Sequence, residues 1–184
     1  MTKRITISTL DAMKASGDKF VMITAYDATF ARLASEAGAE TILVGDSLGM
    51  VLQGHETTIP VSLDAMAYHT ECVARARPHS LIVADLPFMS FSNADDTLHA
   101  STRLMQAGAQ MVKLEGGTWL SDSIHRLVER GVPVCAHLGL TPQSVNVFGG
   151  YRVQGRTPKE AKSILADAVE IQDAGASLLV LECI

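Results

Sequence analysis

"QAGAQMVKLEGG", residues 106–117, is the stretch from which the fold can be read. It leaves an amphipathic segment, turns at Ala107-Gly108-Ala109, and continues as an apolar strand. Glycine suits the left-handed backbone that closes a helix, and an unbroken apolar run is how a strand buried on both faces reads. The same figure recurs as "EAGAETILVGD" at 36–46 and "DAGASLLVLEC" at 173–183, and more loosely as "ERGVPVCAHLGL" at 129–140. "HSLIVADLP" at 79–87 and "FVMITAYD" at 20–27 supply two further strands. The helix opening at "TPKEAKSI" has Thr157 as N-cap, Pro158 at its first position and Glu160 to complete a capping box.

Apolar strands alternating with helices predict a parallel sheet with right-handed crossovers. A doubly wound open sheet and a (β/α)8 barrel both satisfy that pattern. Polar residues close nearly every strand: Asp27, Asp46, Asp85, Glu115, His137 and Glu182. A barrel brings all such ends to one mouth, whereas an open sheet gathers its site at one switch point, so the α/β TIM barrel is favoured. Such a barrel takes about 250 residues and eight strands. The 184 residues supply about the first six β/α units. The expectation is therefore one barrel domain over 1–184 that lacks its C-terminal part and leaves apolar sheet edges uncovered.

Composition narrows the function. Apolar residues make up 47% and charged residues 19%, with net charge −5 and no basic run, which argues against nucleic acid or an anionic membrane as partner. No run approaches the roughly 20 apolar residues of a membrane helix. Cys72, Cys135 and Cys183 form no C-x-x-C pair, so a reducing cytoplasmic setting fits better than a disulfide framework. "GDSLGM" and "FGGYRVQG" contain glycines but match neither a dinucleotide fingerprint nor a P-loop. "TLHASTRLMQAG" reads as a core-facing helix. "QGHETTIP" at 53–60 and "TPQSVNVFGGYRVQGR" at 141–156 are long polar segments after strands, either loops over a site or, for Arg152 and Arg156, solvated surface.

The strand ends carry the chemistry. Lys113 and Glu115 are two apart on a strand and point to the same side. Asp46, Asp85 and Glu115 at neighbouring ends would crowd negative charge, so that they either raise each other's pKa or bind a cation. Oxygen ligands without thiolates favour Mg²⁺. Singly, each acid is equally a turn or helix cap. Lys113 has three readings: a structural ion-pair partner, a Schiff-base nucleophile, or a fixed cation for a carboxylate or enolate oxygen. Neighbouring carboxylates favour the charged amine, hence the fixed cation. Glu182, in an apolar strand, is expected to resist ionisation and serve as a base toward a carbon acid, its alternative being a loop cap.

At these residues the sequence resembles the ketopantoate hydroxymethyltransferase family. The matching stretches are "TAYD" at 24, "LVGDSLGM" at 43, "GHETTIPV" at 54, "YHT" at 68, "ADLPFMS" at 84, "MVKLEGG" at 111, "PVCAHLGLTPQSVNVFGGYRVQGR" at 133 and "LLVLEC" at 178. The resemblance implies a (β/α)8 enzyme of pantothenate biosynthesis that moves a one-carbon unit from 5,10-methylenetetrahydrofolate to 3-methyl-2-oxobutanoate. It further implies Mg²⁺, a cytoplasmic setting and a homo-oligomer, commonly a decamer. By motif, Asp46, Asp85 and Glu115 would be the metal residues, while Asp46, Ser47, Asp85 and Lys113 would hold the oxo acid and Glu182 would be the base. The nearest alternative is another Mg²⁺-dependent enolate enzyme resembling the phosphoenolpyruvate mutase and isocitrate lyase group. A barrel piece acting only as a subunit is the alternative of a different class.

Overall fold

The structure is a computed structural model and describes residues 4–184. Six strands, β1 (Met22–Thr24), β2 (Thr41–Val44), β3 (Leu81–Asp85), β4 (Met111–Glu115), β5 (Val134–Gly139) and β6 (Leu178–Glu182), form one sheet in sequential order. Every neighbouring pair is parallel. A doubly wound sheet reverses its strand order at a switch point, and none occurs here, so the sheet is a partial barrel. β1 and β6 each pair with a single neighbour among the described residues. The helices are α1 (Ile7–Ser16), α2 (Ala28–Glu36), α3 (Leu48–Val51), α4 (Leu63–Arg75), α5 (Ala94–Gln106), α6 (Ser121–Glu129), α7 (Val145–Phe148) and α8 (Pro158–Asp173).

The Ala-Gly-Ala figures end helices as expected. Gly108 has φ +112°, and a Cβ there would collide with Ala74 of α4, so the glycine serves both the turn and the close approach of that helix. α8 opens with the predicted capping box: Thr157 Oγ1 accepts from the Glu160 N–H at 3.2 Å and Glu160 Oε2 accepts from the Thr157 N–H at 3.1 Å. Asp27 caps α2, accepting from the Thr29 and Phe30 N–H groups, which is the structural reading of that strand-end acid.

Strand alternation divides the core into two layers. Outward residues such as Ile42, Ile82, Ala84, Val112, Leu114, Val134 and Ala136 pack with Met66, Leu104 and Leu127 of the surrounding helices. Inward residues Leu81, Val83, Met111 and Cys135 form a second cluster, joined by Leu43, Val180 and, from the N-terminal segment, Ile5 and Ile7. Burying each large aliphatic side chain contributes about 1.5–3 kcal/mol. Met111, Lys113 and Glu115 share one face of β4, so an apolar floor lies beneath the two charged residues. α5 buries Thr97, Ala100, Ser101 and Leu104, the core helix read from its sequence. Arg152 and Arg156 are exposed, in agreement with solvated surface.

Candidate active site

Parallel strands place their C-terminal ends on one rim, and register decides which end residues meet. Asp85 lies opposite Lys113, and Glu115 opposite His137. Gly139 lies opposite Glu182. Asp46 follows the end of β2, and its N–H donates to Asp85 Oδ2 at 3.1 Å. The Lys113 ammonium is 2.6 Å from Asp85 Oδ1 and 3.8 Å from Glu115 Oε1. Asp46, Asp85, Lys113, Glu115 and His137 are each at most 5% exposed. The expected convergence of Asp46, Asp85, Lys113 and Glu115 is therefore observed. Ser47 stands beside them, its hydroxyl 2.9 Å from that of Tyr26.

Gln143, which the sequence reading did not single out, ties the cluster together. Its side-chain amide donates to Asp46 Oδ2 at 2.8 Å and to the Leu86 carbonyl at 2.9 Å. Its backbone N–H donates to Glu115 Oε2 at 3.0 Å. Only its position in the long segment after β5 hinted at this role. Tyr26, within "TAYD", is a second neighbour of the site that no sequence signal marks.

Glu182 departs from expectation. β6 is an edge strand, and the Glu182 side chain is 42% exposed, so it is not enclosed among apolar neighbours. An apolar run predicts burial only when both faces are covered. Glu182 Oε2 lies 3.4 Å from His137 Nε2, and His137 Nδ1 lies 3.3 Å from Glu115 Oε1. Neither ring nitrogen makes an aligned hydrogen bond among the described residues.

The charges do not balance within the cluster. Burial and then the Asp85 charge push the Asp46 carboxyl up to about 7. Burial also raises Asp85, against the pull of Lys113. Burial alone would raise Glu115, but His137, Lys113 and the Gln143 N–H hold it below its ordinary value. For Lys113, burial favours the neutral amine, yet Asp85, Glu115 and Asp46 outweigh it and raise the pKa. The amine is thus held in its charged form, which favours the reading as a fixed cation over that as a nucleophile. Burial pushes the Cys135 thiol beneath the site up to about 12, which leaves it inert.

Three buried carboxylates face one ammonium, a charge deficit that fits a hard divalent cation. No group of three or more His, Cys, Asp or Glu is gathered as a ready coordination cluster among the described residues. Mg²⁺ is held through one or two carboxylates plus water and substrate oxygens, so it suits this sparser arrangement.

The fold and rim together define a barrel-type α/β enzyme with its site at the C-terminal strand ends. The sequence model described as Ketopantoate hydroxymethyltransferase matches residues 4–184, and the chain belongs to that family. "3-Methyl-2-oxobutanoate hydroxymethyltransferase 2" of Pseudomonas aeruginosa (strain UCBPP-PA14) is 59% identical over 98% of this chain and 68% of its own length. The "3-methyl-2-oxobutanoate hydroxymethyltransferase" of Burkholderia vietnamiensis (strain G4 / LMG 22486) is 60% identical over 98% of this chain and 66% of its own. The chain thus spans about two thirds of these curated relatives. Among solved structures, phosphonopyruvate hydrolase has TM-score 0.73 at 18% identity, covering 100% of this chain and 64% of that one. A second structure of a phosphonopyruvate hydrolase, in complex with oxalate and Mg²⁺, has TM-score 0.72 at 16% identity, with 96% and 62% covered. Those two likenesses concern the fold; the family assignment makes the chain a hydroxymethyltransferase of pantothenate biosynthesis. Among the described residues, no helix is long and apolar enough to cross a membrane.

Proposed function

We propose that the rim binds 3-methyl-2-oxobutanoate through Lys113, Asp46, Asp85 and Ser47, and that Glu182 removes the proton from carbon 3. The buried ammonium of Lys113, locked 2.6 Å from Asp85, is the observation that carries this reading. It is already oriented and desolvated, so its charge acts strongly on an oxygen that becomes negative during the reaction. Asp46, Asp85 and Glu115 would hold Mg²⁺, one or two of them directly and the rest through water, and the ion would supply Lewis-acid polarisation of the oxo acid. Gln143 keeps Asp46 and Glu115 in place. Glu182, at the open edge of the rim, accepts the proton as the carbon–hydrogen bond electrons pass into the enolate. The enolate then forms a carbon–carbon bond to the methylene carbon of 5,10-methylenetetrahydrofolate, the co-substrate that family membership implies. Both carbon–nitrogen bonds of the methylene bridge break, one as the enolate adds and the other as water supplies the new hydroxyl. The two folate nitrogens take up the proton held by Glu182 and one from water, which releases tetrahydrofolate. His137, within 3.4 Å of Glu182 and 3.3 Å of Glu115, steadies the base relative to the rim.

Proton NMR of 3-methyl-2-oxobutanoate in D₂O, without folate, tests the first step. The expected result is Mg²⁺-dependent loss of the carbon-3 proton signal; exchange no faster than in buffer would refute the proposal. The reading extends to a cytoplasmic homo-oligomer, commonly a decamer in the family. Free Cys72, Cys135 and Cys183 and exposed apolar residues such as Leu165 and Val169 support that setting and assembly. Sedimentation velocity reads the assembly state.

A further inference from the structure

Beside the charged rim lies a cavity of about 120 Å³ with a different chemistry. Phe88, Met89, Phe91 and Trp119 form its apolar walls, and Glu115 and Gln143 form the wall that it shares with the rim. The Phe91 and Trp119 rings are stacked, 14° from parallel with centroids 6.0 Å apart. Phe91 is buried, whereas Trp119 is 61% exposed. An exposed tryptophan is ordinarily free to change rotamer, but this one is held. A Cβ on Gly116, at φ +145°, would lie 2.6 Å from the indole Nε1, so the ring rests directly on that glycine backbone. One residue before Trp119, the N–H and hydroxyl of Thr118 donate to Asp167 Oδ1 at 2.8 and 2.6 Å. One residue after it, Leu120 is buried. A rigid, exposed aromatic face binds with little ordering cost. Met89, on the same cavity wall, adopts φ +60°, a conformation that non-glycine residues rarely hold and that collects at ligand sites.

The transfer needs two ligands within bond-forming reach. The oxo acid is small and anionic and matches the rim with its ammonium. The neighbouring cavity offers apolar walls, a stacked aromatic platform and the carboxylate of Glu115, so it disfavours an anion and suits a flat, uncharged ring with hydrogen-bond donors on its edge. Because Glu115 and Gln143 belong to both spaces, a ring held there lies next to the oxo acid. We propose that this cavity is the subsite for the pteridine ring of the folate donor, with Trp119 as its stacking face. This rests on the functional reading above.

Trp119 is the single tryptophan of the chain, so its emission reports on the cavity directly. Titration with tetrahydrofolate is expected to quench it saturably, and 3-methyl-2-oxobutanoate is expected not to. Trp119→Ala should raise the KM for 5,10-methylenetetrahydrofolate about tenfold or more, the scale of one lost ring-stacking contact. Trp119→Phe should recover most of that, and the calorimetric affinity for the oxo acid should stay within about twofold in both variants, which also shows that they are folded. Tetrahydrofolate binding that leaves Trp119 emission unchanged, or a folate KM within about twofold of wild type in Trp119→Ala, would overturn the assignment. Absence of both carbon-3 exchange and transfer in the wild-type chain would instead overturn the functional reading, and the subsite with it.

Discussion

Lys113→Met removes the ammonium while keeping an unbranched stem of similar length. In the wild type the pair is 2.6 Å long, with side chains only 5% and 4% exposed. Asp85 Oδ1 has no partner beside that ammonium among the described residues. Glu115 loses less, because it is 3.8 Å from Lys113 and keeps the Gln143 N–H. Breaking a buried pair by deleting one partner costs about 3–5 kcal/mol, since the remaining charge is left uncompensated in a dry site. The variant is therefore expected to be less stable by about that amount at pH 8. Asp85, already raised by burial, rises further without Lys113. A group whose folded pKa exceeds its unfolded value of about 3.9 favours folding fully below that value, and loses the contribution as pH climbs through the folded pKa. The deficit should accordingly shrink as the pH falls and Asp85 takes up a proton. Urea denaturation of both proteins at pH 5 and pH 8, without divalent ions, measures it; added Mg²⁺ should recover part of the loss at pH 8. A deficit under about 1 kcal/mol at pH 8, or one independent of pH, would refute the picture of a dry fixed ion pair.

Gln143→Ala deletes two buried hydrogen bonds and leaves the Leu86 carbonyl unpaired, so a loss of about 1–3 kcal/mol is expected in urea denaturation, with weaker Mg²⁺ binding by calorimetry. Asp46, raised to about 7, makes the folded chain hold an extra proton between about pH 4 and pH 7. Metal-free stability should therefore fall as pH rises through that window, by at most about 1.4 kcal/mol per pH unit from this group, and thermal melts across pH 4–8 that show no such fall would refute the burial of Asp46. Glu182→Gln should cut carbon-3 exchange by about 10²–10⁴-fold, the range of a lost general base, while moving stability by no more than about 0.5 kcal/mol because the side chain is half-exposed. Retained exchange in that variant would assign the base elsewhere.

What was legible in the sequence and what was not divide along one line. The helix-to-strand figure is local: Gly38, Gly108 and Gly175 each adopt positive φ after their helix, and the alternation that put Lys113 and Glu115 on one face depends only on strand period. Barrel curvature followed from many strands ending in polar residues, because the sequential parallel order carries all those ends to one rim. Gln143 was invisible because nothing in a loop glutamine announces that its amide will meet Asp46, 97 residues earlier in the chain. Glu182 was misjudged for the converse reason. Its apolar run looks like core in sequence, yet Leu179 and Leu181 are exposed on one face of the edge strand, and the carboxylate, on the other face with Leu178 and Val180, is itself 42% exposed. Burial belongs to the neighbours of a strand and not to the strand itself, so the acids inside the sheet are enclosed, whereas Glu182, at the same rim but on the edge strand, is not. The same asymmetry separates the two acid types of the rim: Asp46, Asp85 and Glu115 are buried around the Lys113 ammonium, while Glu182 is 42% exposed to water, the access that the proposed proton transfer requires.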